Sequence, residues 1–245
     1  MTHVSDDLFV GDAPTNITPP GGYPLVPKGF GPVGRHVTYD IVPLTAVATN
    51  LVSALATAQV GALTISPGVG VTQSTTATGT TIYKFDVPRG VQVLSSNTTD
   101  VSALTITAYD AYTQPVTELV TLTPGTAALS KKTYSSVASI ALGTTGLIGA
   151  LSIGTSDVFG LPFILPDIND VVSVKWASVL ANDAGTAVKA DATSPATTST
   201  GDVRGTYKPS SASNGSRRLT ITQYLPDTAA APGAGRAAVL GVDNV

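Results

Sequence analysis

The sequence predicts an all-β protein, a β-sandwich or jelly-roll-like fold with an extended N-terminal arm and little helix. Three observations predict it. Only 12% of the 245 residues are charged, with a single Glu and seven Lys, so the residue types that populate exposed helix faces are scarce. Thr takes their place with 36 residues, and both Thr and Val are stiff at χ1 in a way that suits a pleated surface better than a helix. Finally, 24 Gly and 17 Pro punctuate short apolar runs, the spacing of strands and turns and not of long helices or coiled coils.

Residues 1–40 carry Pro14, Pro19, Pro20, Pro24, Pro27 and Pro32 among Gly21, Gly22, Gly29, Gly31 and Gly34, a pattern no helix or central strand tolerates. They read as an extended arm. Within it Tyr23, Leu25, Val26, Phe30 and Val33 are apolar side chains expected to dock on a partner subunit. Residues 41–225 form the expected β-sandwich region, with a candidate break into two lobes near 143–166. Residues 44–63 fit either a short helix, through Leu51, Leu55 and Ala58, or two strands, through Val60, Ala62 and Thr64. Short runs of β-formers follow at 80–87, 91–95, 104–109, 116–122 and 134–142. Pro88-Arg89-Gly90 reads as the turn between the first two. The Thr-rich tracts 72–81 and 193–200 read as exposed loops. Residues 157–166, interrupted by Gly160, Pro162 and Pro166, are expected to cross between sheets. Residues 171–180, around Trp176, and 186–189 flank Asn182-Asp183-Ala184-Gly185 as an expected hairpin, and 203–207 with 218–225 make a second expected pair. Residues 226–245 are a C-terminal tail rich in Ala, Gly and Pro.

A net charge of −3 gives no long-range attraction to phosphate, so no direct contact with nucleic acid is expected. The absence of Cys removes disulfides, thiolate metal sites and thiol nucleophiles together. Met1 to Asp7 has neither a basic start nor an apolar core, and no apolar run approaches the roughly 20 residues of a membrane span. Neither an export signal nor a membrane partner is expected.

Catalytic groups are sparse. Both histidines, His3 and His36, lie in the arm, and no G-x-S-x-G elbow accompanies them. Asp167 and Asp170 could pair as carboxylates, yet with Asn169 they read better as turn-terminating hydrogen-bond acceptors. Asp100, Asp110 and Asp157 sit on different loops and do not form a calcium motif. The Gly143–Gly154 stretch lacks the G-x-x-x-x-G-K pattern of a phosphate loop. Trp176, in an alternating strand, reads as core in preference to a sugar platform. The triplets at Asn16, Asn97 and Asn214 match the glycosylation pattern, which matters only for a secreted chain. The expectation is a protein without catalytic residues, cofactor or metal.

Several segments carry a resemblance: Val87-Pro88-Arg89-Gly90-Val91, Leu104 through Tyr112, Thr117-Glu118, Tyr134 through Ile140, Ser152 through Pro162, Gly201 through Tyr207, and Asn214-Gly215-Ser216 leading into Arg218-Leu219-Thr220. Together they resemble virion structural proteins of tailed bacteriophages, encoded among head genes and regarded as capsid decoration, or cement, proteins. The resemblance implies a subunit on the exterior of the virion head, made in the host cytoplasm, that binds the major capsid protein and itself, as a trimer at a local three-fold position. The expected function is stabilisation of the head by bridging major capsid subunits. The competing expectation is a tail or receptor-contacting virion protein whose Trp176 and Tyr residues bind a host surface glycan.

Overall fold

The computed structural model describes residues 35–56, 60–143, 147–225 and 237–244, and nearly all regular structure in it is β. The strands in chain order are β1 (Arg35–Ile41), β2 (Val52–Leu55), β3 (Gly61–Ala62), β4 (Val71–Thr75), β5 (Thr81–Ser95), β6 (Ala103–Tyr109), β7 (Pro115–Thr121), β8 (Ala128–Leu129), β9 (Tyr134–Leu142), β10 (Leu151–Gly160), β11 (Val171–Trp176), β12 (Thr186–Val188), β13 (Thr206–Lys208) and β14 (Leu219–Leu225). One short helix, α1 (Ala237–Leu240), follows. The large antiparallel sheet has the path β12-β13-β10-β5-β9-β6-β7, with β2, β3, β4 and β8 attached to it, and it curls into a half-barrel. A second sheet of three strands runs β1-β14-β11.

Alternation builds the core. In β6, Leu104, Ile106 and Ala108 are buried while Ala103, Thr105, Thr107 and Tyr109 are half-buried, and β7 buries Val116, Glu118 and Val120 in the same period. The inward side chains of β5, β6, β7, β9 and β10 join Leu51, Leu122 and Leu147 in one apolar cluster. Each fully buried Leu or Ile contributes roughly 1.5–3 kcal/mol of transfer free energy. A smaller cluster of Phe159, Leu161, Leu165, Val174, Trp176, Tyr207, Leu219 and Ile221 lies under the three-stranded sheet.

The structure revises several local expectations. Residues 44–63 contain strands, β2 and β3, and no helix among those described. Pro88-Arg89-Gly90 is not a turn: β5 runs through it as one strand of 15 residues. The ladder gives way there instead, since the register shifts between Lys84 and Arg89 against β9 and between Thr155 and Phe159 against β10. Pro88 has no N–H to donate, so an irregular stretch lets the strand continue past it. The tract 72–81 is not all loop, because β4 occupies its first part and pairs with β5.

The two expected hairpins are also re-partnered. β11 pairs with β14 in the small sheet, whereas β12 pairs with β13 in the large one, so residues 182–185 cross between sheets. β13 pairs with β10 and β12, and β14 lies between β1 and β11. The crossing expected at 157–166 runs from Leu161 to Asp170, later than expected, because 157–160 still belong to β10. Within 143–166, β10 pairs with β5, β2 and β13. One glycine in it is sterically required: a Cβ on Gly154 would lie 2.0 Å from the Val47 carbonyl oxygen.

Both ends of the described chain are tied in. Residues 35–40, expected to be the last of the arm, form most of β1 and pair with β14 in unbroken register from Arg35↔Leu225 to Ile41↔Leu219. Within the C-terminal segment, the Val239 carbonyl accepts from Ile164 N–H at 2.8 Å and Asn244 Nδ2 donates to Asp110 at 3.1 Å.

Candidate functional site

Buried charge is the first place to look for chemistry, and the described residues hold three such centres. Arg89 is 1% exposed, and its guanidinium is consumed on every side. Nε donates to Ser156 O at 2.9 Å, Nη1 to Leu44 O at 3.1 Å and Asp86 at 3.0 Å, and Nη2 to Asp157 at 3.1 Å. The Phe159 ring lies under it, 5.3 Å from Cζ. Asp86 also accepts Leu44 N–H at 2.6 Å, and Ser213 Oγ donates to Asp157 at 2.6 Å. This centre therefore pins two loops, around Leu44 and Ser213, to the middle of β5.

Arg204 makes the second centre. Its Nη1 donates to Asp110 at 2.9 Å, its Nε to Leu161 O at 3.2 Å, and Tyr112 stacks 5.2 Å from its Cζ. Asp110 accepts Tyr112 N–H and Gln114 N–H as well, both at 2.8 Å, which closes the turn between β6 and β7.

Glu118, Lys132 and Tyr134 make the third. Glu118 accepts Lys131 N–H at 2.7 Å, Lys132 N–H at 3.0 Å and the Tyr134 hydroxyl. Burial pushes the Glu118 carboxyl above its ordinary range, and these hydrogen bonds together with the Lys132 charge only partly offset it. Burial lowers the Lys132 ammonium, which donates to Thr117 O at 3.2 Å and Thr197 O at 2.8 Å. Burial, then the nearby Glu118 charge, raises the Tyr134 phenol well above its ordinary value. Beside this centre, Asp202 accepts from Thr133 N–H and Oγ1, and from Arg204 N–H and Gly205 N–H. In all three centres the charged groups face backbone amides, carbonyls and one another, so they hold loops to the sheet.

The surface offers more. A shallow cleft of about 430 Å³ lies between the small and large sheets, with Ile168, Val171 and Val174 on one side and Thr186, Ala187 and Tyr207 on the other. A second, of about 310 Å³, adjoins it across Asp183 and is lined by Trp176, Val179, Ser211 and Arg217. Between them, Ala177 and Ser178 both have positive φ, at 58° and 62°, and Val179 N–H returns to Trp176 O at 3.2 Å. This tight turn is made without glycine, at a conformational cost. It displays Val179 and Leu180, the latter 90% exposed, while Lys175 Nζ holds Leu180 O and Asn182 in place.

A second apolar display lies elsewhere: Val101 is 69% and Ile148 74% exposed. The Asp100 carboxylate joins them, accepting Ile148 N–H at 3.1 Å and Gly149 N–H at 3.0 Å. The two displays are separate. Ile148 and Val101 flank the end where Leu151 pairs with Ser95, and the clefts flank the end where Phe159 pairs with Tyr207. β10 itself, at ten residues, is about 30 Å long.

The residues singled out from sequence are distributed as follows. Tyr23, Leu25, Val26, Phe30 and Val33 lie outside the described residues, as does His3. His36 is exposed on β1, edge-on to Tyr224. Asp167 caps a short 3-10 turn reciprocally with Asp170, a structural capping box. Asp110 and Asp157 serve the arginine centres, and Asp100 binds Ser95. Among the described residues no three His, Asp or Glu side chains converge as metal ligands. Trp176 is 4% exposed with its indole N–H on Ser211 Oγ at 2.9 Å, so its ring face is not a platform. Asn97 and Asn214 fold their own side chains into local turns.

Sequence reasoning gave Arg89, Glu118, Lys132 and Arg204 no buried role, although phase marks two of them. Glu118 falls in step with buried Val116 and Val120 while Leu119 falls in the exposed phase, and Arg89 falls in step with Val91 and Val93. Comparison with protein-family models, with curated proteins and with solved structures found no match to the chain.

Proposed function

We propose that this chain is a structural subunit of a tailed-phage virion, a cement protein on the head that bridges neighbouring major capsid subunits and associates with its own copies. The observation that carries the reading is the pair of separate apolar displays, Val101 with Ile148 near the start of β10 and Val179 with Leu180 after β11. A bridging subunit needs two separated sticky ends on a stiff body, and small contacts repeated over a shell add through multivalency. The resemblance across 85–163 and 201–220 supports the same reading. Burial of Trp176 removes one of the rings, beside those of the Tyr residues, on which the glycan-binding alternative relied.

The test compares heads assembled with and without the protein. Heads lacking it release DNA at lower temperature, because a ligand of the assembled shell stabilises that state by mass action. Adding back the unmodified chain restores the threshold at about 0.5 M salt, where exposed charge pairs are screened. Adding back a chain with Ile148→Asp and Leu180→Asp does not. Equal thresholds with and without the protein, with adsorption to host cells lost, would replace cementing by host recognition.

A further inference from the structure

Every sheet edge exposes unpaired N–H and C=O groups, and folded proteins usually cover or interrupt them. Three of the edges here are treated in this way. At β7, Leu119 N–H reaches Thr198 O at 2.8 Å; at β11, Val174 O accepts Asp183 N–H at 2.8 Å and a bulge interrupts the strand; β12 has only three residues. β1 differs. Its seven residues, Arg-His-Val-Thr-Tyr-Asp-Ile, contain neither Pro nor Gly, its register with β14 is unbroken, and among the described residues β14 is its only strand partner.

The sequence of β1 also complements itself. In an antiparallel pair of two copies with a two-fold axis at Thr38, residue 36 faces residue 40 of the other copy and residue 37 faces residue 39. Thr38 meets the second Thr38. His36, Thr38 and Asp40 share the exposed face, so the pairing sets each imidazole opposite a carboxylate, twice by symmetry, around a Thr–Thr pair. On the other face, half-buried Val37 meets half-buried Tyr39, again twice. Thr–Thr and aromatic–β-branched pairs are cross-strand combinations that stabilise antiparallel ladders, and an imidazole N–H can donate to the carboxylate opposite it. Sliding the pair by two residues in either direction loses the His36–Asp40 match while keeping the faces aligned. Asp40 is already oriented from its own chain by Arg218 Nη1 at 2.5 Å and Thr220 Oγ1 at 3.2 Å.

We propose that the outer edge of β1, unpaired among the described residues, docks on β1 of a second copy of this chain, antiparallel and centred on Thr38, joining two three-stranded sheets into one of six. The contact is two-fold, so it does not itself close a trimer; copies at three-fold positions would be linked by it to the neighbouring trimer. It holds or fails in free solution, independently of the virion reading.

The absence of Cys makes the test direct. In the full chain, Thr38→Cys places two thiols opposite each other with Cα atoms about 4.5–5.5 Å apart, within disulfide reach. Mild oxidation then gives a covalent dimer. His36→Cys does not, because the two copies of position 36 lie about four residue rises, roughly 13 Å, apart along the ladder. Sedimentation of the unmodified chain shows a reversible dimer, and His36→Asp, which sets carboxylates face to face twice, weakens it about tenfold. A folded Thr38→Cys chain that stays monomeric, as when residues 1–34 cover this edge, overturns the proposal. So does equal cross-linking at positions 36 and 38, or a monomeric unmodified chain.

Discussion

The half-barrel core and the ring of buried charges beside it hold the same strands by different means. In the core, Leu104, Ile106, Ile140, Leu151 and Ile153 are fully buried members of one apolar cluster, so their contribution scales with volume and carries no charge of its own. At Arg89, Arg204 and Glu118, strands are joined to loops by charged groups taken out of water, whose contribution depends on every partner being present. The difference teaches why a chain with so few charges buries several of them. The long connections around Leu44, Thr197 and Ser213 offer little apolar surface, and a buried ion anchors their carbonyls and amides instead.

The sharpest way to break this contrast is Arg89→Ala. It leaves Asp86 and Asp157 facing each other without their cation, and chemical denaturation should show a loss of about 3–5 kcal/mol. Arg89→Lys should recover only part of that, since one ammonium cannot reproduce the five-donor fork. A loss near that of a surface pair, about 1 kcal/mol or less, would mean that the centre is not integral to the fold.

Leu104→Ala in the core should cost about 2–5 kcal/mol through lost transfer energy and the cavity left behind. Its stability profile against pH should stay parallel to that of the unmodified chain. A change of shape would mean that core and charges are not separable.

Two subtler variants resolve the charged region itself. Burial holds the Glu118 carboxyl above its ordinary 4.5, so the folded chain retains a proton that the unfolded chain releases. Its stabilising effect is complete below 4.5 and fades as pH rises through the elevated value. Glu118→Gln should abolish that downward slope. Asp191 has the opposite sign: hydrogen bonds from Thr193 Oγ1 and from Gly201 and Thr193 N–H hold it down at about 2, from 3.8. Its contribution is complete above 3.8 and disappears as pH falls towards 2, so Asp191→Asn should flatten the acid limb alone. Stability measured from pH 2 to 8 distinguishes the two, and equal slopes in both variants would contradict the assignment.

The all-β class and the inner face of β6 were legible because period-two alternation records which face meets the core. Strand partnership was not. Residues 171–176 and 186–188 look like the arms of a hairpin, and only the Asp183 bonds to Tyr207 and Ser210 reveal that the loop between them is held by the opposite sheet. Pro88-Arg89-Gly90 misled for a related reason. Turn-forming residues mark a break in pairing, and in β5 the pairing slips while the direction of the chain does not change. The displays at Ile148 and Leu180 were illegible, since a lone exposed apolar residue acquires meaning only from where its ladder carries it.

That ladder has a mechanical consequence. A pull applied along β5 and β10 acts at right angles to the hydrogen bonds that pair Leu151 with Ser95 through Thr155 with Val91. Those bonds are then sheared together, so none parts until the whole row shares the force. A pull across the sheet would open the same bonds one at a time, like a zipper. The paired stretch therefore resists a pull along β5 and β10 more than a pull across them.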